Sequence, residues 1–170
     1  MAETNAVRYC QEWVLPSRAF VFEGVTVCTY RQPIGMSVCG PAVPNSSGLP
    51  ARTTASGHPA ASSGLLTLRT TNLPPFTAGY YLTSMTQGLS MPPGSQGRLC
   101  LGGSIGRFGG IVLGGGIAGQ FQLTIGLTNL PTTPTQPALS GQTWRFQAWF
   151  RDANPTSTSN FSDAVEVTFL

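Results

Sequence analysis

The residues of this chain that could do chemistry are few and lie far apart in the sequence. Gly102–Gly106 reads Gly-Gly-Ser-Ile-Gly, the spacing of a nucleophile elbow in which a serine hydroxyl attacks a carbonyl carbon. That motif requires a helix after the serine and a histidine later in the chain. More glycine follows Ser104, and the only histidine, His58, lies upstream in Ser-Gly-His-Pro. We therefore predict a glycine-rich strand end here and no serine hydrolase.

Ligands for a metal ion are also sparse. His58 has no cysteine or carboxylate partner at ligand spacing. Asp152, Asp163 and Glu166 are the only acids of the C-terminal half, and the two aspartates flank one loop. They could serve as a glycosidase pair or bind calcium, but capping that loop through backbone N–H groups is the simpler role. We expect no metal, no cofactor and no enzymatic activity.

Four cysteines, Cys10, Cys28, Cys39 and Cys100, form an even set without Cys-x-x-Cys spacing. Such a set favours two disulfides over a zinc site. Three pairings are open, of which we favour Cys10–Cys28 with Cys39–Cys100. Four buried free thiols are the alternative.

The composition indicates one domain with an uncharged polar surface. Charged residues make up 9% of the 170 residues, against about 25% in ordinary soluble domains, which is typical of secreted or assembly-forming β-proteins. The net charge of +3 comes from scattered arginines, so we expect no nucleic-acid binding. No apolar run reaches the ~20 residues of a membrane span.

The N-terminus lacks the apolar core of a signal peptide. This pattern indicates either a cytosolic chain or a mature or shortened chain that begins at an added Met1. The cysteines favour the second alternative, and with it an extracellular or cell-surface location.

The strand that must organise these residues is Gly141–Asp152. Its side chains alternate between an aromatic face and a mixed face, which predicts a central β-strand with one face in a core. The predicted core face carries Trp144, Phe146, Ala148 and Phe150, and the opposite face carries Arg145, Gln147, Trp149 and Arg151.

Several further segments show strand patterns separated by turn residues, and no segment shows an amphipathic helix. We predict an all-β fold, an antiparallel β-sandwich of immunoglobulin- or fibronectin-like topology, with a jelly roll as the alternative. On the last strand we expect Val165 to face inward and Ala164 outward, after a loop over 154–160. The other predicted strands are a weak edge strand near Arg52–Ser56, then Leu66–Thr71, Gly79–Met85, Gly97–Leu101 and Phe121–Leu127, with short strands within 102–119.

Residues 1–38 differ in residue pattern from residues 39–170, and we predict an N-terminal arm (1–38) followed by the sandwich domain (39–170). Within the arm, Ala19–Phe22 and Val25–Cys28 read as the two strands of a hairpin around Glu23 and Gly24. An isolated hairpin is marginally stable in water. It must therefore dock on the edge of its own sandwich or on a neighbouring copy.

Five motifs in order resemble a C-terminal domain of secreted and surface proteins from planctomycetes, myxobacteria and related bacteria. They span most of residues 39–170. The resemblance implies an exported protein and a pairing of Cys39 with Cys100. That family has no established activity, so the resemblance implies no reaction. The motifs are CGPAVPNSSG at 39–48, NLPPFTAGYYL at 72–82, GSQGRLCLGGSIGRF at 94–108, GQTWRFQAWFRD at 141–152 and SNFSDA at 159–164.

Trp149 is the most informative candidate for a binding residue. Beside Arg145 and Arg151 it would form a patch for sugar or protein contact if its face is open to solvent. If a second layer covers that face, Trp149 belongs to a core, and the arm 1–38 is the natural cover. Tyr80 and Tyr81 are the further aromatic candidates.

The sequence therefore predicts a non-enzymatic extracellular surface, adhesion or assembly module. The arm could add a strand to a neighbouring copy, which would build a homo-oligomer, polymer or fibre, or it could contact other surface proteins. The alternative is a carbohydrate-binding module that holds a polysaccharide on its exposed aromatics.

Overall fold

Strands form nearly all the regular structure of the described residues. The computed structural model describes Tyr9–Cys10, Cys28–Thr29 and residues 32–170, and the chain divides into two compact units, Met1–Gln32 and Pro33–Leu170. In the first unit β1 (Tyr9–Cys10) pairs antiparallel with β2 (Cys28–Thr29). The predicted 19–28 hairpin, apart from the backbone of Cys28, lies outside the described residues, as do the side chains of the predicted Cys10–Cys28 disulfide.

The second unit begins earlier than the predicted boundary at residue 39. Strand β3 (Pro33–Ile34) pairs with Arg52–Gly57, and β4 (Met36–Val38) pairs with the last strand of the chain. These two short strands belong to different sheets. Gly35, between them, has a φ of +78°, which only glycine adopts without strain. Residues 33–38 are therefore part of the sandwich.

The remaining strands follow in chain order, and one short 3-10 turn, Ala61–Ser63, is the only helical element of the described residues. The strands are β5 (Arg52–Gly57), β6 (Leu65–Thr71), β7 (Ala78–Ser84), β8 (Thr86–Ser90), β9 (Leu99–Gly102), β10 (Gly106–Arg107), β11 (Leu113–Gly114), β12 (Phe121–Gly126), β13 (Thr143–Ala153) and β14 (Ser157–Thr168).

Two antiparallel sheets form the sandwich and confirm the predicted fold class. The long sheet has the order β10-β7-β13-β14-β4, with β11 also paired to β7, and the short sheet has the order β12-β6-β5-β3. Strands β8 and β9 form a separate hairpin. Strand β5 lies between β6 and β3, so the prediction of an edge strand there was wrong. The immunoglobulin-like or jelly-roll topology stays a prediction.

The core lies between the two sheets, and β13 supplies its largest side chains. Trp144, Phe146, Ala148 and Phe150 are fully buried, as predicted, against Leu66 and other residues of the short sheet. Burying each large ring contributes roughly 2–3 kcal/mol. Because β7 and β14 pair with its two sides, β13 is the central strand.

A bulge in β14 changes which of its side chains reach the core. Gln147 lies opposite Ala164 and Trp149 lies opposite Phe161, so two residues of β14, Ser162 and Asp163, face the single residue Ala148 of β13. The strand also begins at Ser157, within the predicted 154–160 loop.

Ala164 was predicted to face outward and is instead completely buried, because a further layer covers the outer side of the sheet at this point.

The Cys39–Cys100 disulfide is formed and joins the loop after β4 to β9, with the two Cα atoms 6.2 Å apart. The same loop is held by Arg98, which donates from Nη2 to the Pro41 carbonyl at 2.8 Å. Asn160 donates to the Val43 carbonyl at 3.3 Å. Covalent and polar contacts therefore hold this loop against β9 and β14.

Replacing both Cys39 and Cys100 by alanine should lower the free energy of unfolding by about 4 kcal/mol, because the bond closes a loop over a separation of 61 residues. Urea unfolding of the double variant and of the parent protein measures this difference. A reductant should bring the parent protein to the stability of the variant and leave the variant unchanged. Equal stability of parent and variant without reductant would contradict the prediction.

Candidate functional site

The side of the long sheet opposite the core, which we term the outer face, carries most of the predicted contact residues. At its centre Gln147 is fully buried although it points away from the main core. Its Nε2 donates to the carbonyls of Arg98, at 2.9 Å, and Ser162, at 2.8 Å, and its Oε1 accepts from the Cys100 N–H at 2.9 Å. The β8–β9 hairpin is thus hydrogen-bonded onto the middle of β13.

The cover of the outer face is therefore the β8–β9 hairpin, and among the described residues it takes the place predicted for the arm 1–38. Leu101 packs with Leu82 and Phe161 in a second small core, which Tyr80 and Trp149 border. Trp149 is half-buried. It lies at the margin of this second core, so neither the fully exposed nor the fully covered alternative describes it.

Four side chains form a column on the outer face, which we call the cationic stack. The rings of Tyr80 and Trp149, directly opposite each other on β7 and β13, stack with centroids 4.7 Å apart. The Arg107 guanidinium lies over Tyr80, 3.9 Å from the ring centroid, and the Arg151 guanidinium lies 5.6 Å from the centroid of Trp149. A guanidinium over an aromatic ring is held by cation–π attraction.

Two of the predicted contact residues have other roles. Tyr81 points into the main core, where it is completely buried and packs edge-on against Phe121; the prediction that Tyr81 contacts a partner was wrong, because neighbouring residues on a strand face opposite sides. Arg145 forms an ion pair with Glu166, directly opposite on β14, at 2.5 Å, and donates to the Met85 carbonyl. Tyr80, Trp149 and Arg151 are the predicted residues that the structure brings together.

Arg107 completes the stack and was missed in the sequence. It directly follows the Gly-Gly-Ser-Ile-Gly stretch, whose motif indicated a role only for the serine. Its position opposite Leu82 on β7, next to Tyr80, depends on a pairing between strands that lie far apart in the chain. The sequence offered one indication of a role for Arg107, which falls inside the motif at 94–108.

A second candidate region lies at the free side of β12. Strand β12 pairs with β6 along its whole length, and none of the other described strands pairs with its opposite side. A shallow groove of about 380 Å³ runs there, lined by Phe108, Ile111, Leu123, Thr124, Ile125, Gly126, Thr128 and Asn129. Four consecutive β12 residues line it although their side chains alternate between faces, so the groove follows the strand edge. We call it the edge groove.

The acidic residues act as structural hydrogen-bond acceptors. Asp152 accepts from the backbone N–H groups of Ser46, at 3.2 Å, and Ala153, at 2.9 Å. Asp163 accepts from the Thr53 N–H and from the Ser37 hydroxyl, each at 2.6 Å. Within residues 32–170 no three histidine, cysteine or acidic side chains form a group that could hold a metal ion. Only the bond from Ala153 to Asp152 resembles the predicted capping of the loop between the two aspartates. Asp163 lies within β14 and bonds to Thr53 and Ser37, so the prediction that it caps this loop was wrong.

Ser104 and His58 are engaged with nearby backbone groups. The Ser104 hydroxyl bonds with both the carbonyl and the N–H of Thr133, each at 3.1 Å, and strand β10 follows it where a nucleophile elbow has a helix. His58 is exposed and its Nδ1 accepts from the Ala60 N–H at 3.1 Å.

No protein-family model, curated protein or solved structure matches the chain. The family resemblance carried by residues 39–170 therefore stays a prediction. The Cys39–Cys100 bond is typical of proteins that fold in an oxidising compartment. No helix in the described part of the chain is long and apolar enough to cross a membrane.

Replacing Gln147 by leucine should lower the free energy of unfolding by about 2–4 kcal/mol, because it leaves a buried N–H and two buried carbonyls without partners at nearly constant volume. Gln122→Leu, on the exposed side of β12, is the matched control and should change stability by no more than about 0.5 kcal/mol. Chemical unfolding of both variants gives the comparison. Equal effects would show that the Gln147 bonds contribute no net stability.

The buried carboxyl of Asp163 should make the free energy of unfolding depend on pH. Burial raises the pKa of its carboxyl above the ordinary value of 3.8, against the lowering effects of the hydrogen bonds from Ser37 and Thr53 and of the Arg52 charge. The folded state then keeps this proton to a higher pH than the unfolded chain does. The contribution of Asp163 to stability is therefore largest below pH 3.8 and falls as the pH rises through the raised pKa.

Asp163→Asn should remove this fall, because an amide stays neutral, accepts from the Thr53 N–H and donates to the Ser37 hydroxyl. The unfolding free energy of the variant minus that of the parent should increase as the pH rises from 3.8 through the raised pKa. Urea unfolding at a series of pH values measures this difference. A difference that stays constant over the series would contradict the assigned direction of the shift.

Proposed function

We propose that this chain is a non-enzymatic extracellular assembly module, in which the N-terminal segment of one copy adds a strand to β12 of the next. The unpaired side of β12, with the edge groove beside it, is the observation that supports this proposal. An exposed strand edge presents a row of backbone donors and acceptors that an extended segment can pair with. Among the described residues nothing occupies this edge.

The chemistry of the groove fits an apolar strand. Leu123, Ile125 and Phe108 line its floor, and Ile111, 50% exposed, lines its rim. In strand addition, backbone hydrogen bonds supply affinity, while pockets for alternate side chains supply specificity. The Ala19–Phe22 segment reads Ala-Phe-Val-Phe and would direct its two phenylalanines to the same side, into the groove.

The fold limits where the donor segment can end. Residues 33–38 already belong to the sandwich through β3 and β4, so the donor must lie before residue 33. Residues 1–31 carry three arginines and three glutamates, so net charge would not oppose their approach to another copy. Because donor and acceptor are different surfaces, the contact is head-to-tail and can continue into a polymer or fibre.

The proposal predicts that removing residues 1–32 converts an oligomer into a monomer. Light scattering coupled to size-exclusion chromatography measures the mass, and a circular dichroism spectrum checks that the shortened chain folds. A parent protein that is monomeric at every concentration tested would refute the proposal. So would a shortened chain that keeps the mass of the parent assembly.

A pair of full-length variants tests the acceptor side of the same contact. Ile111→Glu places a charge in the edge groove and should release monomers. Ile117→Glu lies in the same glycine-rich segment, is 81% exposed and does not line the groove, so it should keep the parent mass. Equal masses for the two variants would show that the groove is not the acceptor.

The alternative of a carbohydrate-binding module that stacks sugars on flat aromatics draws no support from the geometry. The Tyr80 and Trp149 rings stack on each other, and a guanidinium also lies 3.9 Å from the centroid of Tyr80 and 5.6 Å from that of Trp149. Tyr81 is buried. A sugar that stacked on Tyr80 or Trp149 would compete with these contacts.

A further inference from the structure

We infer that the cationic stack is a binding site for the anionic groups of an acidic polysaccharide. The site consists of the guanidinium groups of Arg107 and Arg151, held over the Tyr80–Trp149 ring pair. It lies on the outer face of the long sheet, whereas the proposed assembly contact follows the free edge of β12, with Phe108, the neighbour of Arg107, also lining the edge groove. The two proposals rest on different contacts, so either can fail alone.

Both guanidinium groups of the stack have hydrogen-bond donors that no described residue uses. Arg107 and Arg151 are exposed, and neither side chain forms a hydrogen bond or an ion pair with another described residue; each guanidinium lies near a ring. A ring face attracts the cation but accepts no full hydrogen bond. Within the described part of the chain, the N–H donors of both guanidiniums are therefore open to a planar anion such as a carboxylate or a sulfate.

No described acid competes for these cations. The described residues include three acids, and each is engaged elsewhere: Asp152 and Asp163 are about 93% buried and bonded to backbone groups, and Glu166 pairs with Arg145. Arg52, Arg69, Arg98, Arg107 and Arg151 carry charges without an ion-pair partner in this part of the chain. Its surface potential is therefore positive, and it attracts polyanions.

The aromatic pair restrains the two cations through ring contacts. The arginine side chains would otherwise lose rotamer entropy on binding an anion. Contacts with Tyr80 and Trp149, which are anchored on adjacent paired strands and against the second small core, remove much of that cost beforehand. Two fixed cations separated by two rings suit a ligand that repeats its negative charge along a chain.

The contacts within the stack favour an acidic polysaccharide over a nucleic acid. Proteins that bind single-stranded nucleic acids combine cations with aromatic faces on which bases stack. Here the two rings stack on each other and a guanidinium lies near each of them, so a base would have to compete for the rings, whereas a carboxylate or sulfate group would contact the guanidiniums directly. The formed disulfide also favours a compartment in which such polysaccharides occur.

The test compares two full-length double variants with the same loss of charge. Arg107→Gln/Arg151→Gln removes both guanidiniums of the stack, and Arg52→Gln/Arg69→Gln removes two exposed arginines of the short sheet. Polygalacturonate supplies carboxylates alone, dextran sulfate supplies sulfates alone, and neutral dextran is the negative control. Affinities are measured by biolayer interferometry at two salt concentrations, with melting temperatures as the check on folding.

We expect the parent protein to bind at least one of the two anionic polymers, more weakly at high salt, and not to bind dextran. The stack variant should lose about tenfold or more in affinity, and the short-sheet variant should lose less than about threefold. Arg107→Lys/Arg151→Lys keeps the charge without the planar fork and should bind with intermediate affinity.

Three outcomes would overturn the inference. The first is a parent protein that binds neither anionic polymer. The second is an equal loss of affinity in the two glutamine double variants, which would indicate a general charge effect. The third is tighter binding of a single-stranded oligonucleotide through the same arginines, which would assign the stack to nucleic acid.

Discussion

The hydrogen bonds of the buried Gln147 side-chain amide hold the β8–β9 hairpin against the outer face of the long sheet. Gln147 occupies the middle of the central strand, on the side away from the main core, and its amide bonds to backbone groups of β9 and β14. A buried amide without these partners would cost several kcal/mol, whereas with them it fixes the register of two elements against β13. The β8–β9 hairpin, itself linked by the disulfide to the loop after β4, can therefore act as a third layer.

The position of the hairpin determines what remains accessible on the long sheet. It covers the sheet around Gln147 and ends at the margin of Trp149, so the indole is packed along one side and accessible along another. The bulge in β14 places Phe161 under that margin. As a result the Tyr80–Trp149 pair is rigidly supported, and the two exposed arginines are held at its ends. Supporting contacts of this kind keep a surface site in one geometry.

The sequence was sufficient to predict β13 and most of the other long strands, but not β3, β4 and β8, nor how the strands meet. The alternation in 141–152 identified β13 and its core face because side-chain direction within a strand is a local property. Pairings between distant segments are not encoded in a local pattern. They determine the edge position of β12, the interior position of β5 and the cover over Gln147. For the same reason Tyr80 and Trp149 were predicted as contact residues but not as a pair, and Arg107 was missed. Tyr81 was assigned to the surface although, of the two tyrosines, only Tyr80 lies on the outer face.

The distribution of charge connects the fold to both proposals. A protein with few charges could have spread its acids over the surface, but here two of the three described acids serve as buried acceptors for backbone N–H groups, and the third pairs with an arginine. The remaining arginines then set the sign of the surface potential. Weak like-charge repulsion between copies is compatible with strand addition at β12. A polymer built in this way would repeat the cationic stack once per copy, so weak single contacts to a repeating polyanion would combine into strong attachment.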